Sequence, residues 1–319
     1  MKTGKKVKAA IIALALIACM AGGVFAGGGQ QSGGSAAKVF RVGYANDNDA
    51  DFFRKLVRDT FEDMIKGDAG FSVTYTNAAG DLQTQLDHID NFIAQGMNAI
   101  IVQPADTAGI VPGIEKANKA GIPIISIISR SGGGNSIYIG NTYLDGGIMQ
   151  AEYMIKALPQ NAKIVYMQGQ PGFDHSRDRR AGFLDTLKKS RPDVTVLADQ
   201  TANYDRAEGM KLMEDWIQAY PQIDGVICGN DQMALGALQA LRMAGRDKGV
   251  LVCGVDATDE ACQEIKAGGM AMTVLQSAPL EAQGCYDTLK KLKAGETVPR
   301  DVIIPQIPVT RDNVDEYLK

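Results

Sequence analysis

The 319-residue sequence predicts an α/β protein built as two doubly wound, parallel-sheet lobes joined by a three-segment hinge. Three observations carry this. Short β-branched runs alternate with amphipathic helical stretches from residue 40 onward. The strand runs are apolar throughout rather than at every second position, as in parallel sheets covered by helices on both faces. There are also more strand runs than a single twisted open sheet usually holds, so two lobes fit better than one.

The chain opens on "MKTGKKVKAA", four lysines without an acid, followed by the apolar run "AAIIALALIACMAGGVFA". A basic head and an apolar core read as a secretory signal peptide over 1–26. "VFA" before Gly27 offers one cleavage point, and "LIAC" at 16–19 resembles a lipobox that would make 1–18 the leader and leave Cys19 lipidated. The folded part is therefore expected outside the cytoplasm, periplasmic or lipid-anchored through Cys19. "GGGQQSGGSAAK" follows, a Gly- and Ser-rich tether over 27–37.

From there "FRVGYA", "FSVTYT", "AIIVQP" and "IPIISII" are strands, each trailed by a helical stretch such as "DFFRKLVRDTFEDMIKG" or "LQTQLDHIDNFIAQG". The second half repeats the pattern with "AKIVYMQG", "VTVLADQ", "DGVICGN", "GVLVCGVD" and "AMTVLQ". "AQGCYDTLKKLKAGE" is a helix that returns after the last of these. The lobes are expected at 38–141 plus 277–299 and at 142–276 plus 300–319, with crossings near 141–142, 276–277 and 299–300. Trp216, with Met213, Ile217 and Tyr220, falls at core spacing on its helix.

Loss of residues 1–26 takes the formal net charge from −4 to −8, a poor match for nucleic acid. Cys228 and Cys253 sit in apolar strands, no CxxC or zinc spacing occurs, and Cys228, Cys253, Cys262 and Cys285 are expected as free thiols. No metal and no cofactor is expected. "SGGGNS" (131–136) lacks the Lys-Ser/Thr of a phosphate loop, and "NDNDAD" (46–51) lacks the Gly and closing Glu of a calcium loop.

One stretch, "QGQPGFDHSRDRRAGF" (168–183), places Asp174, His175 and Ser176 side by side. A catalytic triad converges from separate segments, and no G-x-S-x-G elbow is present, so the stretch is not read as a hydrolase site. Ligands of doubly wound sheets bind beyond the carboxyl ends of the strands. Those ends here are "YAND", "VQPAD", "IISRS", "QGQPGFDH", "TANYD", "CGND", "GVDAT" and "LQSA", each polar or aromatic after an apolar run. Aromatic plates beside planar Asn, Gln, Asp and Arg side chains suit a sugar, whose C–H faces stack on rings while its hydroxyls donate and accept.

"CGNDQMALGALQALRMAG" with "VLVCGVDATDEACQEIKAGGMAMTVLQ", and "QTQLDHIDNFIAQGMNAIIVQPAD" with "ANKAGIPII", resemble bacterial periplasmic sugar-binding proteins of the ribose/galactose class over residues 38–319. The resemblance implies sugar contacts by the aromatic pair Phe52 and Phe53, by Arg130, Arg179, Tyr204, Asn230 and Asp256, and by Gln276 at the last crossover. Where the family has a polar residue two places before the aromatic pair this chain has Ala50, so Asp49 or Asp51 is taken as the substitute. Phe173 stands at the place of the galactose-type His. Gln103 and Asn141, at strand ends, complete the expected set. The arginine of the first lobe is preceded by Ser129 in place of Asp or Asn, and "LPQNAKIV" (158–165) holds no calcium loop.

The resemblance implies a monomeric, non-enzymatic receptor. It would bind a pentose, hexose or cyclitol between the lobes and deliver it to the membrane permease of an ABC importer. A receptor presenting its ligand to a chemoreceptor or sensor kinase is the alternative. Repressors of the lactose-repressor family share the fold, but a signal peptide stands where their DNA-binding helices would be. His175 is expected to border the site only.

Overall fold

Six parallel strands make the first sheet: β1 (Phe40–Asn46), β2 (Phe71–Asn77), β3 (Ala99–Val102), β4 (Ile124–Ile127), β5 (Ile137–Gly140) and, from the far end of the chain, β11 (Asp301–Ile303). Their order is β11-β5-β4-β3-β1-β2. The computed structural model describes residues 38–318; the expected leader, Cys19 and the tether lie outside the described residues. Helices α1 (Phe52–Ile65) and α9 (Ala278–Ala294) cover one face of this sheet, and α2 (Leu82–Ala94) and α3 (Val111–Lys119) the other. Successive residues of a strand point to opposite faces, so Ile101 and Ile125 pack with Phe61 and Leu289 while Ile100 and Ile124 pack with Phe92 and Ile114.

The second sheet repeats the plan with β6 (Lys163–Gln168), β7 (Thr195–Thr201), β8 (Gly225–Cys228), β9 (Leu251–Cys253), β10 (Met272–Leu275) and β12 (Ile307–Thr310), in the order β12-β10-β9-β8-β6-β7. All pairs are parallel except β10 with β12. Helices α4 (Tyr143–Ala157) and α5 (Asp174–Ser190) lie on one face, and α6 (Arg206–Ala219), α7 (Asp231–Met243) and α8 (Asp259–Ala267) on the other. Gly147 and Gly182 let α4 and α5 touch backbone to backbone: a Cβ at either would overlap the Arg179 or Leu144 carbonyl oxygen. Trp216 packs in the core of this second lobe with Met213, and among the described residues Cys228, Cys253, Cys262 and Cys285 are buried and form no disulfide.

The chain passes between the sheets at 141–142, 276–277 and 304–306. The last passage differs from the expected 299–300. Asp301 pairs with Tyr138 and Ile303 with Gly140, so the chain stays in the first sheet until residue 303. A three-residue strand between Pro299 and Pro305 is too short to show a periodicity. The order of strands reverses between β1 and β3 in one sheet and between β6 and β8 in the other, and at such switch points ligand clefts form.

Candidate functional site

At these switch points both lobes contribute to one small chamber. The first lobe supplies Asp51, Phe53, Arg54 and Ile128; the second supplies His175, Arg179, Tyr204, Asn230 and Asp256, with Gln276 from the second passage. Local chemistry fixes most of these positions. Asp51 caps α1, accepting from the Arg54 backbone N–H at 2.9 Å, and Asn230 caps α7, accepting from Met233 N–H at 3.0 Å. The Asn230 amide also donates to the Tyr204 carbonyl at 3.1 Å.

Three lining residues hold left-handed backbone: Ile128 (φ 68°), Tyr204 (φ 63°) and Asp256 (φ 120°). Such strain persists only where the surroundings over-determine it, and it concentrates at functional sites. Tyr204 lies flat over Gly169, where any Cβ would overlap its ring.

Arg54 is 2% exposed. Its guanidinium donates to the Pro104 carbonyl and to Ser129 Oγ, both at 3.1 Å, and lies 3.5 Å from Asp47. It also covers the Phe173 ring of the other lobe at 4.5 Å. Arg179 donates to the Gly229 carbonyl at 2.8 Å and to Gln276 Oε1, while its buried Nε has no partner in the protein. A buried donor left unpaired costs on the order of 1–3 kcal/mol, so Nε marks where a ligand acceptor belongs.

His175 is sandwiched between Phe173 (4.9 Å, 14°) and Tyr204 (5.3 Å, 25°). Burial pushes its pKa down to about 4, so the ring is neutral at pH 7. Ser129 Oγ at 3.1 Å and Asp174 Oδ1 at 3.4 Å both approach Nδ1. A nucleophile–base–orienter relay needs the two ring nitrogens separately, so this trio is not one. Burial also lifts the carboxyl of Asp256, reinforced by Asp231 and opposed by Arg179. Asp231, itself pushed up to about 7 by burial, accepts from Thr273 Oγ1 and Thr258 N–H and so pins the segment after β9.

The lobes touch around this chamber. Thr107 N–H donates to the Gly172 carbonyl and Asp174 N–H to Thr107 Oγ1, both at 3.2 Å, and Arg130 N–H donates to Asp174 Oδ2 at 3.0 Å. The arrangement is a closed clamp lined with rings, carboxylates, amides and guanidinium forks.

The sequence model of the periplasmic binding protein domain matches residues 42–297. The chain belongs to the periplasmic binding protein family. Among its relatives, the xylitol-binding protein of Mycolicibacterium smegmatis is 34% identical, over 76% of this chain and 70% of its own length. The ribose import binding protein of Bacillus subtilis is 30% identical, over 74% and 76%. An ABC transporter solute-binding protein of Bacillus halodurans, solved with bound myo-inositol, superposes with a TM-score of 0.84 at 31% identity, covering 89% of this chain and 98% of that one.

In this periplasmic binding protein seven of the twelve residues singled out from the sequence line the chamber: Asp51, Phe53, Arg179, Tyr204, Asn230, Asp256 and Gln276. Phe173 lies behind His175 in the aromatic stack. Four lie elsewhere. Phe52 is 48% exposed on α1 and does not line the chamber. Gln103 spends its amide on Tyr44 Oη (2.7 Å) and the Arg54 carbonyl (3.1 Å), and Asn141 donates to the Ile304 carbonyl at 2.8 Å.

Arg130 turns outward, because Asp301 on β11 pairs with its guanidinium and Tyr138 lies 3.9 Å beneath it. Arg54 supplies the first-lobe guanidinium instead, and Ser129 links it to His175. His175 is a lining residue rather than a bordering one. Sequence reasoning missed Arg54, yet a cation in the first turn of a helix opposes the macrodipole and was a readable sign of another task.

Proposed function

We propose that the chamber binds one neutral monosaccharide or polyol per chain and that the closed form hands it to the permease of an ABC importer. The observation that carries this is the convergence of both lobes on a closed chamber whose donors and acceptors are planar and whose walls are rings. Phe53 faces the cleft from one lobe, Tyr204 and His175 from the other. Asp51 and Asp256 accept, Arg54 and Arg179 donate, and Asn230 and Gln276 do both. Such an array matches vicinal hydroxyls, and no step of covalent chemistry is assigned to it. Relatives named for xylitol and ribose, and a structural neighbour holding myo-inositol, support a polyhydroxylated ligand.

A ligand that touches both lobes stabilises their closed arrangement by its differential affinity for it. The family's extracytoplasmic placement agrees with the leader read from the sequence, with tethering through Cys19 as part of the proposal. Thermal denaturation with ribose, xylitol, myo-inositol and allose, each beside an amino-acid control, tests the reading. At 1,000 times Kd a bound ligand adds about 4 kcal/mol, which shifts the melting temperature by several degrees. A shift with the amino acids and none with any polyol would refute it.

A further inference from the structure

Beside the chamber lies a second, larger cavity of about 490 Å³, partly open to solvent. Phe53, Asp256 and Gln276 line both, so the two adjoin across these three side chains. The walls of the second differ in kind. Phe52 and Leu56 from α1, Pro279 from α9 and Leu318 from the end of the chain make an apolar lining. Phe52 and Leu56 are 48% and 42% exposed there, unusual for large apolar side chains standing together. The polar members include three further acids, Asp259, Glu260 and Glu316, of which Glu260 pairs with Arg206, and no Lys or Arg occurs among the described lining residues.

We propose that this cavity is a substituent subsite, which takes an uncharged apolar group, O-alkyl or aryl, carried by the polyol in the chamber. Anionic groups are rejected at its acidic rim. The inference rests on the polyol reading of the chamber and narrows it, since an unsubstituted sugar fills the chamber and leaves these apolar faces in water. Each CH2 moved from water onto them strengthens binding roughly fourfold.

Calorimetric titration of the intact protein tests this with three probes in each series. These are the parent (ribose, xylitol or myo-inositol), its mono-O-butyl ethers taken one regioisomer at a time, and its monophosphates. At least one butyl ether is expected to bind at least tenfold more tightly than its parent, and every monophosphate at least tenfold more weakly. Leu56→Trp, which fills the subsite from an exposed position outside the chamber, is expected to cost the favoured ether tenfold and the parent less than twofold. Leu56→Asp extends the acidic rim and serves as the second variant, with the same split. A parent that binds while all its butyl ethers bind tenfold worse overturns the subsite alone. So does a Leu56→Trp protein that loses parent and ether equally. Failure of every parent and every ether overturns the polyol reading and the subsite with it.

Discussion

Replacing Arg54 and Arg130 in turn separates the structure from the resemblance, because each assigns the first-lobe contact to a different arginine. Arg54→Met removes two buried donors, to the Pro104 carbonyl and Ser129 Oγ, and leaves Asp47 buried beside an apolar chain. Hydrogen bonds to charged groups contribute about 1.5–3 kcal/mol each, and the contact over Phe173 adds roughly 0.5–2 kcal/mol to lobe closure. The loss is expected at about 3.5–8 kcal/mol, or roughly 10 °C in melting temperature. Arg130→Met breaks an ion pair whose two side chains are 45% and 43% exposed, which contributes about 0–1 kcal/mol.

Affinity is expected to follow the same order, at least tenfold weaker for Arg54→Met and within twofold of the native protein for Arg130→Met. Differential scanning calorimetry and titration with the polyol giving the largest thermal shift measure both. An Arg130→Met protein that no longer binds, beside an Arg54→Met protein that binds normally, would show that the outward pairing with Asp301 is not the arrangement that meets ligand.

Other outcomes follow from the same geometry. His175 has its folded pKa depressed from 6.5 to about 4, so the unfolded chain takes up its proton first as pH falls and stability is lost between those values, by about 3 kcal/mol. His175→Gln abolishes this part of the slope, and urea titrations of both proteins at pH 7 and pH 4.5 that fall in parallel would contradict it. Gly169→Ala forces the Tyr204 ring out of place and should weaken polyol binding at least tenfold by calorimetry, with no such effect for Gly67→Ala, where a Cβ meets nothing. Trp216 lies in the core of the second lobe and does not line the chamber, so saturating ligand should change its emission only slightly; a large quench on titration would count against that placement.

The fold was legible because its signals are local. Runs such as Ala99–Val102 and Gly225–Cys228 are wholly buried, and their unbroken apolar character says so without a partner in view. Helix caps have equally local causes: Asp51, Asp205 and Asn230 each precede a helix and accept from its first turn. Side-chain direction was not legible. Arg130 turns outward toward Asp301, 171 residues away, and nothing near Arg130 announces that partner. Arg54 turns inward because Ser129 and the Pro104 carbonyl await it. His175 reads as an ordinary histidine until two rings and an apolar cleft close over it.

The late return of the chain to its first sheet bears on how the protein is made. The helix α9 and strand β11 complete a lobe whose other strands end at residue 140. Until residue 294 has been synthesised α1 has no complete α9 to cover it, and until residue 303 has been synthesised β5 is an open edge. The N-terminal half therefore cannot reach its native form on the ribosome ahead of the rest. A polypeptide ordered in this way keeps its first lobe unfinished until nearly its last residues have been added.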